Sequence, residues 1–580
     1  MTERHRGWAA LGAVALLTLL ASTWHLSRNG WGNVYYAGIA ATGGEHLGAA
    51  FFGSLEPRSV VSTDKPPLGL WPMMLSVRLL GVRPVAVLLP QALMTAAAVA
   101  LLGRTVWRVA GPRAGVVAAV LLAVSPVTFA LSRFDDPDTM LLLVSVVAAW
   151  AVTALADHPR RRLLVLLGAA FGAAFLTKWL AGLVLAPAAV AALWRPLAGQ
   201  RLRAAVTVGA AAAVSGLWWV AVLAALGPGR RPFADDSQGS LVELVLGSNG
   251  VARLEGSGGG SISGHPGPLR LFTAPFADQV TWFLPGALLA LVLLALDRAL
   301  RGGERALVVL LGGWLAVAAV LFSAMGGAMH PYYTSYLAAP AAGLLGLAAV
   351  RVGRAWAPWR GAALVAVLGA TGTAVLAVTG RELAWLAAVA GAATVAAVVA
   401  LLLPRGGRAR LLPLAAVAAT VSVLTGPVVI DAVTTQVVVN GADPRAGWSQ
   451  AGVTSVPPRA LVAWLRARRS GDWAAAVPQA SPAAQLQLAS GLPVLPLGGF
   501  TGSSDAPTQG QLRSFVASGR LRYVVLLGQY RRYPLGTPPA LAGHPVAAAV
   551  VWARSRGCPS VVAGVTVLDL ADRTCRAGGQ

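Results

Sequence analysis

Long runs of apolar residues recur along the chain from residue 8 to residue 430, and short polar stretches separate them. Each run is close to the length that an α-helix needs to cross about 30 Å of hydrocarbon. The pattern therefore predicts an all-α polytopic membrane protein with about thirteen transmembrane helices. The predicted helices are 8–25, 84–102, 114–131, 139–156, 162–177, 179–194, 204–226, 280–297, 306–324, 333–350, 361–379, 384–403 and 411–430.

The apolar stretch 67–80 is a special case, because it is short and ends near Arg78 and Arg83. Counting it as a span would place half of the arginine-rich loops on the wrong side of the membrane. We therefore expect a helix that lies in the outer interface. The predicted outer loops are then a first loop at 26–83 and a long loop at 227–279.

Beyond residue 430 the pattern becomes mixed and alternates between helical and strand-like segments. This alternation is typical of an α/β domain. We therefore predict two domains, a membrane domain at 1–430 and a small extracytoplasmic α/β domain at 431–580. Helices are expected at 459–469, 482–490 and 508–519, strands at 493–497 and 523–527, and an apolar run at 473–477.

Composition supports this class of protein and corrects a first impression from the charge. Mean hydropathy is +0.67, and 56% of the residues are hydrophobic. The net charge of +24 resembles that of a nucleic-acid-binding protein, but arginines occur three at a time in six short loops between apolar runs. That placement follows the positive-inside rule. We expect no nucleic-acid partner, a multi-pass protein of the cytoplasmic membrane with a cytoplasmic N-terminus, and an extracytoplasmic C-terminal domain.

The richest candidate site is the segment Ser62-Thr-Asp-Lys-Pro-Pro-Leu-Gly-Leu-Trp71. It sets Asp64 beside Lys65 in an otherwise apolar region. The chain has 46 basic residues, and only Lys65 and Lys178 are lysines, so a compact ammonium is favoured at these two positions. One interpretation is an interfacial anchor, and the other is a site for an anionic lipid head group.

Further polar residues occur in the predicted outer connections. Asp135, Asp136 and Asp138 surround the start of the fourth predicted helix. One acid there would serve as a helix cap, but three neighbouring anions repel one another unless a cation or a shared proton is present. The stretch that contains His330, Tyr332 and Tyr333 is open to two interpretations, an aromatic interface belt or a ligand site. The remaining candidates in these loops are Asn33, Tyr36, Asn249 and Arg253.

The only two cysteines, Cys558 and Cys575, both lie in the predicted extracytoplasmic domain. In an oxidising compartment the simplest expectation is one disulfide between them.

Taken together, these motifs resemble the GT-C glycosyltransferases. The resemblance rests on the outer first loop with Thr63-Asp-Lys-Pro-Pro-Leu-Gly69, the Asp at the start of the fourth helix and the C-terminal outer domain. The chain is similar to the branch of lipid A aminoarabinose transferases and protein O-mannosyltransferases. Phe51-Phe-Gly-Ser54, His330-Pro-Tyr-Tyr333 and Gly498-Gly-Phe-Thr-Gly502 look like bacterial mannosyltransferases with an appended C-terminal domain.

The resemblance implies a donor sugar linked to a polyprenyl phosphate, with mannose or another hexose or pentose as the sugar. Lys65 matches a lysine that holds the donor phosphate, and Lys178 and Arg253 are candidates to assist it. Asp64 matches an acidic residue that helps to bind a divalent metal cation, and His330 is a second candidate ligand. Substrate-binding roles are expected for Asn33, Tyr36, His330, Tyr332 and Tyr333.

One departure from the family pattern affects the catalytic base. Many relatives carry an acidic residue early in the first loop, whereas residues 32–36 here read Gly-Asn-Val-Tyr-Tyr. The catalytic carboxylate is therefore expected among Asp64, Asp136 and Asp138. The predicted reaction is transfer of a sugar to an acceptor hydroxyl of a glycan, lipid or protein on the outer face of the membrane. The alternatives are a flippase for polyprenyl-linked sugars and a glycan-binding scaffold.

Overall fold

The computed structural model describes residues 3–235, 237, 239–256, 264–300, 302–352, 356–379, 383–448, 456–533 and 535–572. Most of these residues are helical, because alanine, leucine and valine fill long uninterrupted runs between breaks at glycine and proline. The longest α-helices in this part of the chain are Glu3–Thr23, Pro84–Ala110, Asp138–Asp157, Arg161–Lys178, Arg201–Leu226, Gly302–Ala324, Ser335–Val352, Pro358–Thr379, Ala384–Leu402 and Arg405–Gln436.

Shorter helices connect and extend the long ones. The α-helices are Val34–Glu45, Leu47–Phe52, Trp71–Leu80, Pro112–Ala123, Pro126–Ser132, Ala186–Leu193, Ala252–Glu255, Ala277–Val280, Leu284–Ala295, Arg459–Ala467, Ala480–Ser490, Gln509–Ala517 and Pro545–Arg556. The 3₁₀-helices are Leu26–Asn29, Pro67–Gly69, Trp179–Leu183, Arg270–Phe272, Pro331–Thr334, Gly528–Arg531 and Pro539–Leu541, and Glu243–Val251 forms a π-helix.

The fold class is confirmed, but fewer helices than predicted are long enough to cross a membrane. Ten described helices have the necessary length and apolar composition, or eleven if Pro112–Ala123 and Pro126–Ser132 count as one span bent by 68°. Pro126 explains this bend, because a proline lacks the N–H that would continue the helix. The predicted spans 179–194 and 280–297 are shorter apolar segments in the structure.

The described residues form two compact units. The first contains residues 1–30, 88–218 and 252–452, and the second contains residues 31–87, 219–251 and 453–580. We call them the helical unit and the mixed unit. These units group segments that are distant in sequence, and the predicted domain boundary at residue 430 stays a prediction.

Small residues allow close helix packing in the helical unit. An added Cβ at Gly168 would lie 2.4 Å from the carbonyl oxygen of Val208, and one at Gly172 would lie 2.0 Å from Ser215 Oγ. Two helices, Arg161–Lys178 and Arg201–Leu226, therefore approach backbone to backbone at these glycines. Such contacts are how membrane helices gain van der Waals packing where lipid supplies no hydrophobic force.

The mixed unit contains all the described strands. These are β1 (Val61–Ser62), β2 (Phe233–Ala234), β3 (Ala475–Pro478), β4 (Val494–Leu497), β5 (Tyr523–Val525), β6 (Cys558–Val562) and β7 (Val565–Asp569). The last five form one sheet in the order β4-β3-β5-β7-β6, in which β3 is parallel to β4 and β5. β7 is antiparallel to both β5 and β6. The predicted α/β character is confirmed, and the hairpin of β6 and β7 was not predicted.

The first loop packs against this sheet through buried polar contacts. Glu56 is fully buried, accepts a hydrogen bond from Trp473 Nε1 at 3.0 Å and also accepts the N–H groups of Arg58 and Val60. Burial raises the pKa of Glu56, and these donors act against that rise. The side chain of Gln487 donates to the carbonyl of Leu55 at 2.7 Å. Residues 31–87 are thus part of the core of the mixed unit.

The predicted disulfide is described at one end only. Cys558 begins β6, is buried and is disulfide-bonded. Cys575 lies outside the described residues, so its pairing with Cys558 stays a prediction.

Candidate functional site

The mixed unit holds Lys65 between two acceptors. The ammonium of Lys65 forms an ion pair with Asp64, and Lys65 Nζ donates to Asn249 Oδ1 at 2.9 Å. The side chains of Lys65 and Asp64 are 10% and 15% exposed, so the group is mostly shielded from water. A shielded ammonium interacts strongly with an anion, because less solvent screens the charge.

Local backbone structure fixes this group. The N–H of Thr63 donates to the carbonyl of Gly53 at 2.9 Å, and the short strand β1 pairs with β2 of the long loop. Gly53 has φ +66°, a conformation that favours glycine. Pro66 and Pro67 then restrict the chain to an extended turn before the helix Trp71–Leu80. Asp64 and Lys65 are therefore presented by a stiff segment.

Asn249 reaches the same group from the long loop. It lies in the π-helix Glu243–Val251, and its amide nitrogen donates to the carbonyls of Leu244 at 2.9 Å and Asp64 at 3.3 Å. From the sequence alone, Asn249 is only one of several polar candidates in the outer loops. The structure makes it a direct partner of Lys65.

The helical unit holds the second lysine in a different way. Lys178 ends the helix Arg161–Lys178, and its ammonium donates to both carboxylate oxygens of Asp138 at 2.7 and 2.5 Å. The side chains are 11% and 4% exposed. The same ammonium lies 3.7 Å from the ring centre of Tyr333 and 5.6 Å from that of Tyr332. Lys178 is therefore enclosed by an anion and an aromatic face.

Asp136 adds a second carboxylate beside this pair. Its side chain accepts the N–H of Asp138 at 2.9 Å and so supports the start of the helix Asp138–Asp157. Burial, followed by the neighbouring charge of Asp138, raises the pKa of Asp136 well above its usual value. The N-cap residue of this helix is Pro137, so Asp138 does not cap it, and Asp136 is the acid that accepts an N–H at the helix start.

Arg133 anchors the segment that carries these acids. Its buried guanidinium donates to the carbonyls of Ala21, Ser22 and Trp24, near the end of the first helix, at 2.7–3.1 Å. These contacts satisfy acceptors that a helix end leaves without a helical partner. Burial lowers the pKa of Arg133 to about 10. The position of Asp136 and Asp138 therefore depends on the first helix.

The predicted aromatic candidates extend this group. Tyr332 and Tyr333 lie on the 3₁₀-helix Pro331–Thr334, and the His330 ring stacks on Tyr332 with ring centres 5.2 Å apart. Arg253 donates to the Tyr333 hydroxyl at 3.3 Å. His330 Nδ1 also contacts the buried carboxylate of Asp443, a residue that was not among the predicted candidates. The only feature of the sequence that could have indicated Asp443 is its position as an acid shortly after the last apolar run.

Two predicted substrate-binding residues occupy structural positions in the mixed unit. Asn33 is buried and caps the helix Val34–Glu45, because its Oδ1 accepts the N–H of Tyr35 at 3.1 Å. Tyr36 is buried, and its ring lies 5.8 Å from the ring of Tyr35. Their roles in substrate binding stay predictions.

The proposed metal ligands do not form a recognisable metal centre. The described residues contain no group of three or more histidines, cysteines, aspartates or glutamates that could hold a metal ion. Asp64 is paired with the ammonium of Lys65, and His330 contacts Asp443. The expectation of a divalent cation stays a prediction.

Comparison with solved structures identifies the fold. The fold is similar to that of ArnT from Cupriavidus metallidurans bound to undecaprenyl phosphate, with TM-score 0.53 and 17% identity over 98% of both chains. It is also similar to the Archaeoglobus fulgidus oligosaccharyltransferase tethered to an acceptor peptide, with TM-score 0.51 and 14% identity over 90% of this chain and 69% of that one. The chain therefore has the GT-C fold.

Two family models match separate parts of the sequence. Residues 64–225 match the model described as "Dolichyl-phosphate-mannose-protein mannosyltransferase". Residues 461–537 match the model described as "Putative mannosyltransferase YkcB-like, C-terminal". The first match includes Asp64, Lys65, Asp138 and Lys178, so both lysine groups fall within the matched region.

Relatives from Bacillus subtilis (strain 168) agree with these models. The chain is 24% identical to "Putative mannosyltransferase YkcB" over 90% of this chain and 89% of that protein. It is 24% identical to "Putative mannosyltransferase YycA" over 58% of this chain and 63% of that protein. The chain therefore spans less than two thirds of the length of YycA. The predicted resemblance is confirmed at the level of fold and similarity: the chain is a multi-pass membrane protein with the GT-C fold, similar to bacterial mannosyltransferases.

Proposed function

We propose that the protein transfers a sugar from a polyprenyl-phosphate donor to an acceptor hydroxyl on the outer face of the cytoplasmic membrane. The observation that carries the proposal is the shielded ammonium of Lys65, held by Asp64 and Asn249 inside a region similar to mannosyltransferases. The solved ArnT relative, which binds undecaprenyl phosphate, supports a donor of this kind. Mannose or a related hexose or pentose is the proposed sugar.

The proposed reaction is a single displacement at the anomeric carbon. The acceptor oxygen forms a new bond to that carbon, the bond from the carbon to the donor phosphate oxygen breaks, and polyprenyl phosphate leaves with the bonding electrons. Lys65 stabilises the negative charge on the departing phosphate. Lys178 and Arg253 stay candidates for this role, although Lys178 already shares its charge with Asp138.

The acceptor proton passes to a carboxylate in the proposed reaction. Asp64 is one candidate, because it lies beside Lys65 in the mixed unit. Asp136 and Asp138 are the candidates in the helical unit, where burial raises the pKa of Asp136 and thus makes it a stronger base. Substitution of Asp64, Asp136 and Asp138 one at a time distinguishes these three candidates for the catalytic base.

The test is transfer of radiolabelled sugar from a panel of polyprenyl-phosphate sugars in membranes that contain the full chain. The variants are Lys65→Ala, Asp64→Asn, Asp136→Asn and Asp138→Asn, and the control is Glu45→Gln, an exposed acid of the mixed unit. We expect sugar transfer by the wild type and the control, and loss of transfer in Lys65→Ala. Among the three aspartate variants, the one that removes the catalytic base should lose the most transfer activity. Donor binding without transfer to any acceptor extract would instead support a flippase, and unchanged transfer in all four variants would disprove the assigned site.

A further inference from the structure

An exposed aromatic ring stands on a constrained loop of the mixed unit. Phe500 is 37% exposed and lies in the loop 498–504, which follows β4. Its ring centre lies 5.4 Å from that of the buried Tyr35, which in turn lies against Tyr36. The ring of Phe500 therefore packs against Tyr35 on one side, and part of it is exposed to solvent.

The loop is held in one shape by Asp235. The carboxylate of Asp235 accepts the N–H of Phe500 at 2.6 Å and also the hydroxyl of Ser504. An added Cβ at Gly499 would lie 1.9 Å from Asp235 Oδ1, so only glycine allows this approach. Gly498, Gly499 and Gly502 all have positive φ values, of 80°, 67° and 92°. The position of Phe500 is thus fixed before any ligand arrives, which reduces the entropy lost on binding.

The loop lies at the carboxyl ends of the parallel strands. β3, β4 and β5 are parallel, and β3 lies between the other two, so the carboxyl ends of all three strands lie at the same edge of the sheet. Open α/β sheets bind their ligands outside the carboxyl ends of the strands. Gln479 directly follows β3 and has φ +64°, and the loop of Phe500 directly follows β4. Residues that follow β3 and β4 therefore meet at this edge.

Uncharged polar residues lie next to Phe500 in this loop and at the end of β3. The side-chain amide of Gln479 donates to the carbonyl of Thr501 at 3.2 Å, and the exposed hydroxyls of Thr501 and Ser503 lie 2.6 Å apart. An apolar ring with amide and hydroxyl groups beside it matches a sugar, which has an apolar face and a rim of hydroxyls. Ligand sites commonly combine an aromatic surface with a few placed polar groups in this way.

We propose that this edge of the sheet, formed by Phe500, Thr501, Ser503 and Gln479, is a subsite for a neutral glycan. The inference deepens the proposed function, on which it rests, because it makes a carbohydrate the acceptor class. One sugar residue stacks on the exposed face of Phe500 and exchanges hydrogen bonds with the neighbouring hydroxyls and amide.

The test measures binding of defined neutral trisaccharides built from mannose, glucose or galactose to the full chain in lipid nanodiscs, by calorimetry without any donor. We expect at least one trisaccharide to bind, with affinity reduced at least fivefold by Phe500→Ala and retained in Phe500→Tyr. Val561→Ala removes an exposed apolar side chain from β6 of the same sheet and is the matched control. A thermal unfolding midpoint equal to that of the wild type shows that each variant is folded.

The outcomes separate this inference from the proposed function. Failure of every trisaccharide to bind, or equal affinity in the wild type and Phe500→Ala, would overturn the glycan subsite even if sugar transfer is found. Binding that depends on Phe500 in a protein without transfer activity would support the subsite and reject the enzyme. If Phe500→Ala does not fold, Thr501→Val and Ser503→Ala replace it, and unchanged affinity in both would overturn the proposal.

Discussion

Lys65 and Lys178 each pair with an aspartate, but the two pairs are built differently. Lys65 pairs with its sequence neighbour Asp64 on a stiff loop and shares its charge with the neutral oxygen of Asn249. Lys178 pairs with Asp138, 40 residues away, through both carboxylate oxygens and lies against the ring of Tyr333. The first ammonium keeps an acceptor that carries no charge, whereas the second is neutralised by a more deeply buried acid.

This difference suggests different duties for the two lysines. A phosphate can bind the ammonium of Lys65 while the neutral Asn249 keeps that ammonium in place. Removal of Lys178 from Asp138 would leave a buried carboxylate without its cation, which is strongly unfavourable. We therefore expect Lys65 to bind the donor and Lys178 to hold the helical unit together.

The strongest test of this contrast is donor binding by lysine variants. We expect Lys65→Ala to weaken binding of polyprenyl phosphate at least 100-fold, because a shielded ammonium is lost from the proposed phosphate site. Lys65→Arg should lose less, since it keeps the charge with a different shape. Binding of fluorescent polyprenyl phosphate to the purified protein measures the affinity of both variants. Wild-type affinity in Lys65→Ala would contradict the proposed role of Lys65 in donor binding.

The second test is the stability of the helical unit. Asp138→Ala leaves Lys178 buried without its anion, and we expect the free energy of unfolding to fall by about 3–5 kcal/mol. The double variant Asp138→Leu with Lys178→Met should recover most of that loss, because it removes both charges. Asp64→Ala should lower the free energy of unfolding by only about 1 kcal/mol. Unfolding in detergent is the measurement, and equal losses in Asp138→Ala and Asp64→Ala would abolish the contrast.

A smaller effect is expected at Asn249. Asn249→Ala removes one acceptor from Lys65, so we expect the KM for donor to rise about fivefold, as for the loss of about 1 kcal/mol of hydrogen bonding. Steady-state transfer assays at varied donor concentration measure this change. The control is Ser248→Ala on the same π-helix, which should keep the wild-type KM for donor. An equal rise of this KM in Ser248→Ala would show that disruption of the π-helix, and not loss of the contact with Lys65, causes the effect.

The smallest effect concerns the pH dependence of stability. Because the pKa of Asp136 is raised in the folded protein, folding favours its protonated form. The free energy of unfolding should fall as pH rises from about 4, the ordinary value for aspartate, through the raised pKa. Asp136→Asn should flatten this decline and be more stable than the wild type at high pH. Thermal unfolding at pH 4–9 checks the sign, and parallel profiles would contradict it.

Much of the fold follows from the sequence because membrane helices and strand patterns are local signals. The helices Asp138–Asp157 and Ala384–Leu402 lie within two residues of their predicted bounds. The bend at Pro126 and the short segments after Lys178 were not predicted, because an apolar run does not reveal where the helix is interrupted. The hairpin of β6 and β7 was missed because β6 places exposed residues in its centre, so no alternation indicates a strand.

The candidate site was predicted where its members are neighbours in sequence. Asp64 and Lys65 stand side by side, and Asp136 and Asp138 mark a helix start, so their proximity needed no tertiary information. Asp443 and Asn249 could not be assigned, because their contacts with His330 and Lys65 span 113 and 184 residues. Such pairings depend on how the chain folds, and a single sequence does not encode them in a readable pattern.

The mixed unit also has a consequence for exchange of parts between homologous proteins. Its sheet is made by the last segment of the chain, but Glu56 from the first loop is buried against Trp473, and Asp235 from the long loop fixes the backbone at Phe500. A chimera that carries only residues 453–580 from another protein would therefore break contacts in both loops. The unit that can be exchanged between homologues consists of three segments, 31–87, 219–251 and 453–580, and these must be exchanged together.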